Sequence, residues 1–110
     1  MTDNPNEPDS NGLTPIHAAA AEGELEIVKI LAPLTKNLNV PDKTGWTPMH
    51  MAAWFGKIDI IKYLAPLTDE LNSKTENGKT PIDLATKIGH HEIVKFLESY
   101  EKPAKRARLE

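Results

Sequence analysis

The feature that most constrains this 110-residue chain is an internal period of 33 residues, which runs without insertion through nearly its whole length. Thr14-Pro15-Ile16-His17, Thr47-Pro48-Met49-His50 and Thr80-Pro81-Ile82-Asp83 fall one period apart, as do Gly12, Gly45 and Gly78, and Gly23, Gly56 and Gly89. With the unit opened at Thr2, the array covers residues 2–34, 35–67 and 68–100; the first two units agree at 18 of 33 positions and the last two at 11. A unit this short cannot enclose a core of its own. It must bury its apolar face on its neighbours, so residues 1–100 are read as one stacked three-unit domain and residues 101–110 as a tail.

Punctuation divides each unit further. Asp9-Ser10-Asn11-Gly12 and Asp42-Lys43-Thr44-Gly45 read as tight turns, the aspartate accepting from backbone just downstream and the glycine taking a positive φ. Thr14, Thr47 and Thr80 follow as helix N-caps with proline at the first helical position, where a missing N–H leaves no orphan donor. A short helix then runs to Gly23, Gly56 or Gly89, residues suited to a left-handed helix end. A second helix carries apolar residues at helical spacing: Leu25, Ile27, Val28, Ile30 and Leu31, then Ile58, Ile60, Ile61, Tyr63 and Leu64, then Ile93, Val94, Phe96 and Leu97. Pro33 and Pro66 are expected to stop the first two. The reading is all-α, an open solenoid of helix-turn-helix units with projecting turns.

These residues carry a family resemblance. Gly-x-Thr-Pro-(Ile/Met)-His-x-Ala-Ala, starting at Gly12 and Gly45, together with Gly23 or Gly56, Ile-Val-Lys-x-Leu and a closing Asn39 or Asn72, resembles the ankyrin repeat over residues 2–100. The resemblance implies β-turn tips projecting from a curved stack of helix pairs, with the tips and first helices forming a concave surface that binds other proteins. Three departures stand out. Thr35 and Thr68 follow Ala-Pro-Leu where the family usually has glycine, which points to a differently built turn. Asp83 replaces the histidine of the other units, and Lys74 and Thr75 replace Pro-Asp, changes that resemble a C-terminal capping repeat. The first unit opens with Thr2-Asp3-Asn4-Pro5-Asn6 and no helix before it, while Ala18 to Ala21 reduce the apolar area left open. That end reads as a minimal, excised or engineered array, at the extreme a scaffold with no ligand of its own; the alternative is a natural short protein whose outer face a partner covers.

Composition narrows the chemistry. With no cysteine there are no disulfides and no thiolate metal sites. No apolar run approaches the roughly 20 residues of a membrane span, and the N-terminus has no basic and apolar leader, so a soluble, intracellular, monomeric protein is expected. The net charge of -3 divides into +2 on the last ten residues and -5 on the rest, and an acidic body argues against nucleic-acid binding.

A metal or catalytic role for the histidines is weak. His17 and His50 sit one unit apart, which in stacked helices is roughly 8 to 10 Å, and each ring is expected to bond backbone in a neighbouring turn. His90 and His91 read as ordinary residues at the start of a second helix. Asp9, Ser10 and His17 can be drawn as a triad, yet a capped turn explains all three. No phosphate cradle or paired-carboxylate motif occurs, so no enzymatic activity and no cofactor are expected.

Two other sites are read from motif or resemblance. Lys105, Arg106 and Arg108 after Pro103 form a short basic cluster of the kind an import receptor reads, placing the protein in the nucleus, the cytoplasm or both. Leu109-Glu110 also suits a cloning remnant. Asn39 and Asn72, each eight residues after a leucine, resemble asparagines modified by an iron- and oxoglutarate-dependent hydroxylase; the competing reading is an amide that satisfies turn backbone.

Binding is expected at the positions the family leaves variable. At the turn tips these are Ser10, Asn11 and Leu13, then Lys43, Thr44 and Trp46, then Glu76, Asn77 and Lys79. At the ends of the first helices they are Ala21 and Glu22, Trp54 and Phe55, and Lys87 and Ile88. Of the six aromatic residues, Tyr63 and Phe96 fall on core positions and Tyr100 at the end of the array. That leaves Trp46, Trp54 and Phe55 as the anchor for a protein partner.

Overall fold

The computed structural model describes residues 8–68 and 71–100, and within them three helix pairs follow one another: α1 (Pro15–Glu22) and α2 (Leu25–Leu31), α3 (Pro48–Phe55) and α4 (Ile58–Leu64), α5 (Pro81–Ile88) and α6 (His91–Ser99). No strand occurs among the described residues. Each first helix starts on its threonine through a reciprocal cap. The Thr47 N–H donates to His50 Nδ1 at 3.0 Å while the His50 N–H donates to the threonine hydroxyl at 3.3 Å. In the third unit Asp83 takes the histidine's part, its carboxylate accepting from the Thr80 N–H at 3.0 Å. Each first helix ends on a left-handed glycine.

The first helices form one row and the second helices another. α1 packs on α3 and α3 on α5 far more extensively than α2 on α4 or α4 on α6. The reason lies in side-chain size: Ala19, Ala20, Ala52, Ala53 and Ala85 are all buried along the first row, and alanine lets helix backbones approach closely. Behind them Val28, Ile60, Ile61, Leu64 and Ile93 fill the space between the two rows.

The turns after α2 and α4 are built differently, as Thr35 and Thr68 suggest. The α-helices stop at Leu31 and Leu64, just ahead of Pro33 and Pro66, and pass directly into 3-10 turns, Ala32–Leu34 and Ala65–Leu67, that hold the prolines inside them. A 3-10 turn tolerates proline near its start, where no intrahelical donor is needed. Threonine then replaces the family's glycine by a side-chain bond. The Thr35 hydroxyl donates to the Leu31 carbonyl at 2.7 Å, whereas the Thr68 hydroxyl crosses to Asn39 Oδ1 at 2.7 Å and ties unit three to unit two.

The two ends of the stack differ, and here the periodicity misled. Ile27, Ile60 and Ile93 hold the same place in successive units, yet Ile27 is 45% exposed while Ile60 and Ile93 are 0% and 1% exposed. Pro15 is likewise exposed where Pro48 and Pro81 are buried, and Ile30 is exposed as well. Helical spacing marks a face as apolar; only a preceding unit covers it, and the described structure places none against α1 and α2. At the far end the chain changes its residues instead. Asp83, Thr86 and Glu98 are exposed where His50, Ala53 and Ala65 are buried, so the third unit presents a polar outer face.

Candidate functional site

The turn tips are held in register from unit to unit. Asp42 Oδ1 accepts from the N–H groups of Thr44 at 2.8 Å and Trp46 at 3.0 Å, and from the Thr44 hydroxyl at 2.9 Å. Partial burial pushes the Asp42 carboxyl up, but these three bonds outweigh it and hold the group below its ordinary value. Asp9 makes the same bonds to Asn11 and Leu13, and Thr75 substitutes its hydroxyl in the third tip, accepting from Asn77 and Lys79. Neighbouring tips then bond to each other: the Lys43 N–H donates to the Asn11 carbonyl at 3.0 Å and the Glu76 N–H to the Thr44 carbonyl at 2.9 Å. Gly45 lies at φ 86, and a Cβ there would come within 2.8 Å of the Glu76 nitrogen, so the tips pack this closely only around glycine.

Histidines fasten the backbone of the residues singled out for binding. His17 Nδ1 accepts from the Thr14 N–H at 3.0 Å, which leaves Nε2 to carry the proton and donate to the Trp46 carbonyl at 2.8 Å. One period on, His50 takes the Thr47 N–H and donates to the Lys79 carbonyl at 2.9 Å. Burial desolvates both rings and sets their pKa values below 6.5, against the upward pull of these carbonyl bonds. With both nitrogens committed, His17 has none free to serve as a base beside Ser10 or to ligate a metal. Among the described residues no group of three His, Asp or Glu side chains is placed to hold a metal ion.

His90 does more than begin a helix. It is the residue before α6 and sends Nε2 to the Trp54 carbonyl at 3.1 Å, across 36 residues of chain. Nothing in the repeat pattern marks it, because the matching positions hold Glu24 and Lys57.

The expected binding residues fall into two groups. Trp46 and Trp54 meet edge to plane, ring centroids 5.7 Å apart at 76°, and Trp46 also lies 6.0 Å from the His50 ring. Both indoles are partly exposed. Neither makes a ring contact with Phe55 among the described residues; Phe55 is 51% exposed, as Ile88 is at 43% one unit on. Lys43, Thr44, Lys79 and Lys87 are exposed, and Leu13 is partly buried. Tyr63 and Phe96 pack against the core from its edge, and Phe96 stacks obliquely on Tyr100 with centroids 5.4 Å apart.

Asn39 and Asn72 part company: Asn39 is partly buried with its amide oxygen taken by Thr68, and Asn72 is exposed. Lys105, Arg106 and Arg108 lie outside the described residues, as does the opening segment Thr2 to Asn6. No described helix is long and apolar enough to cross a membrane.

The comparisons with known proteins agree with this architecture. The family model for ankyrin repeats in three copies matches residues 2–75, and that for a single ankyrin repeat matches residues 77–102. No curated protein matches the chain. A 33-residue unit of capped first helix, left-handed glycine, second helix and projecting turn, repeated in register under those matches, places the chain in the ankyrin repeat family.

Proposed function

We propose that the protein is a noncatalytic binding module that takes a protein partner on the face made by its turn tips and the ends of its first helices. Ankyrin repeats are in general protein-protein interaction modules, and the family is typically noncatalytic. The observation that carries the reading to this face is the Trp46–Trp54 pair. Two indoles packed 5.7 Å apart stand partly exposed at positions where the other units hold Leu13 and Ala21 or Lys79 and Lys87. The stack closes at those places without them, so the aromatic area is additional to the core. Trp pairs framed by less critical contacts are where interface energy concentrates.

A pull-down from nuclear and cytosolic extract, run in parallel with the wild type and a Trp46→Ala, Trp54→Ala variant, tests the reading. Proteins held by the wild type and lost by a variant with an unchanged melting profile support it; equal retention by both places the interface elsewhere. The basic tail is a separate element of the proposal, read from its residue types alone as an import signal. A large fluorescent fusion carrying Lys105→Ala and Arg106→Ala accumulates in nuclei less than its parent if that reading holds.

A further inference from the structure

We infer that the partner segment is an acidic one, with aliphatic or aromatic anchors for Trp46 and Trp54 followed by carboxylates that lie over Lys79 and Lys87; this rests on the reading of that face as the binding surface. Residues 33 apart take the same place on successive units, as the equivalent bonds from His17 to the Trp46 carbonyl and from His50 to the Lys79 carbonyl demonstrate. One row across the stack is therefore Leu13, Trp46, Lys79, and the next is Ala21, Trp54, Lys87. Both rows run in one sense, from a small or aliphatic side chain through an indole to an ammonium group. Two parallel rows give the surface a direction, apolar over the first unit and cationic over the third.

Hydrogen-bonding capacity points the same way. Neither indole N–H has a partner among the described residues, and no buried polar side-chain atom there lacks one, so both N–H groups keep some access to solvent. Lys79 and Lys87 are exposed and form no ion pair among the described residues, the one such pair being Lys29 with Glu26. Of the nearby carboxylates, Asp42 serves its own turn, and Asp83 accepts from the Thr80 N–H, the main cause of its lowered pKa, and feels the Lys79 charge without forming an ion pair with it. Glu76 stands at the third tip on the row of Lys43, and Glu22 at the first-unit margin on the row of Phe55 and Ile88. The centre thus offers two neutral and two charged donors, to which carboxylates are the matching acceptors. An anionic membrane is a broad surface that would face the -5 charge of residues 1–100 as a whole. A short acidic segment meets only the local donors, and screening over about 8–10 Å weakens the rest of the charge, which favours the peptide.

A peptide-display selection on the full chain tests this, with a Lys79→Glu, Lys87→Glu variant selected in parallel. Wild-type selections should be enriched in Asp and Glu beside an aromatic or aliphatic pair, and the variant should turn that enrichment toward Lys and Arg. Charge reversal should weaken the wild-type peptides at least tenfold with the melting midpoint unchanged. Indole N–H resonances of Trp46 and Trp54 locate the bound peptides. Resonances that move without acidic enrichment overturn the acidic class and leave the surface standing; peptides that bind without moving them overturn the surface itself. A selection that yields no binders, or tighter binding to phosphatidylserine vesicles than to any selected peptide, also overturns the inference.

Discussion

His90 Nε2 lies 3.1 Å from the main-chain carbonyl oxygen of Trp54, so a residue of the third unit holds the end of the second unit's first helix. Its ring also fills the space above Gly56, where an added Cβ would fall 2.7 Å from His90 Cε1. Trp54 is thereby fixed from behind while its side chain packs on Trp46.

Glycine substitutions separate the two strains at these helix ends. Gly56 and Gly89 both take positive φ, 74 and 95, but nothing lies within 4 Å of a Cβ at Gly89. Gly89→Ala should cost only the left-handed penalty, about 1–2 kcal/mol. Gly56→Ala should cost more, and Gly56→Ala with His90→Ala should recover part of the difference. Urea denaturation of the four proteins checks this; equal losses for both glycines would remove the His90 contact from the account.

Stability should fall as pH drops from 7.5 to 5. The folded pKa values of His17 and His50 lie below 6.5, so the unfolded chain binds protons that the buried rings refuse. Their contribution is complete above 6.5 and is lost as pH falls from there toward the folded values. Urea midpoints across this range should decline, with a shallower slope in His50→Gln. A flat wild-type profile contradicts the burial of neutral rings.

Three isoleucines in one register report on the ends of the stack. Ile60→Ala and Ile93→Ala remove fully buried side chains and should each cost about 2–4 kcal/mol. Ile27→Ala, at a half-exposed site, should cost under about 1 kcal/mol. Hydrogen exchange gives the companion measurement: α1 and α2 amides should exchange faster than those of α5 and α6. Slower exchange in the first unit would show its outer face to be covered.

Truncating the indoles should separate binding from folding. Trp46→Ala or Trp54→Ala should weaken partner binding by about 2 kcal/mol or more while lowering stability by less than about 1 kcal/mol, and Glu22→Ala should change affinity little. Titrations beside thermal melts decide it. Loss of folding in Trp54→Ala would move that residue into the core.

The repeat length, the three helix pairs, the caps at Thr14, Thr47 and Thr80, and the Asp-led turns at Asp9 and Asp42 are all legible in the order of residues alone. These are set by residues within a few positions of one another, so local chemistry specifies them. The sequence also marked Asp83 and its surroundings as a cap, because a buried-to-polar change is visible against the other units. What it left open depends on neighbours distant in the chain. Ile27 and Ile60 are the same residue in the same local pattern, and only the presence of a unit on one side makes one exposed and the other buried. His90 looked ordinary until packing set it beside the Trp54 carbonyl 36 residues away. Thr35 and Thr68 follow the same three residues, yet Thr35 closes its own turn and Thr68 reaches Asn39, because partners across a stack are assigned by tertiary contact and not by sequence spacing.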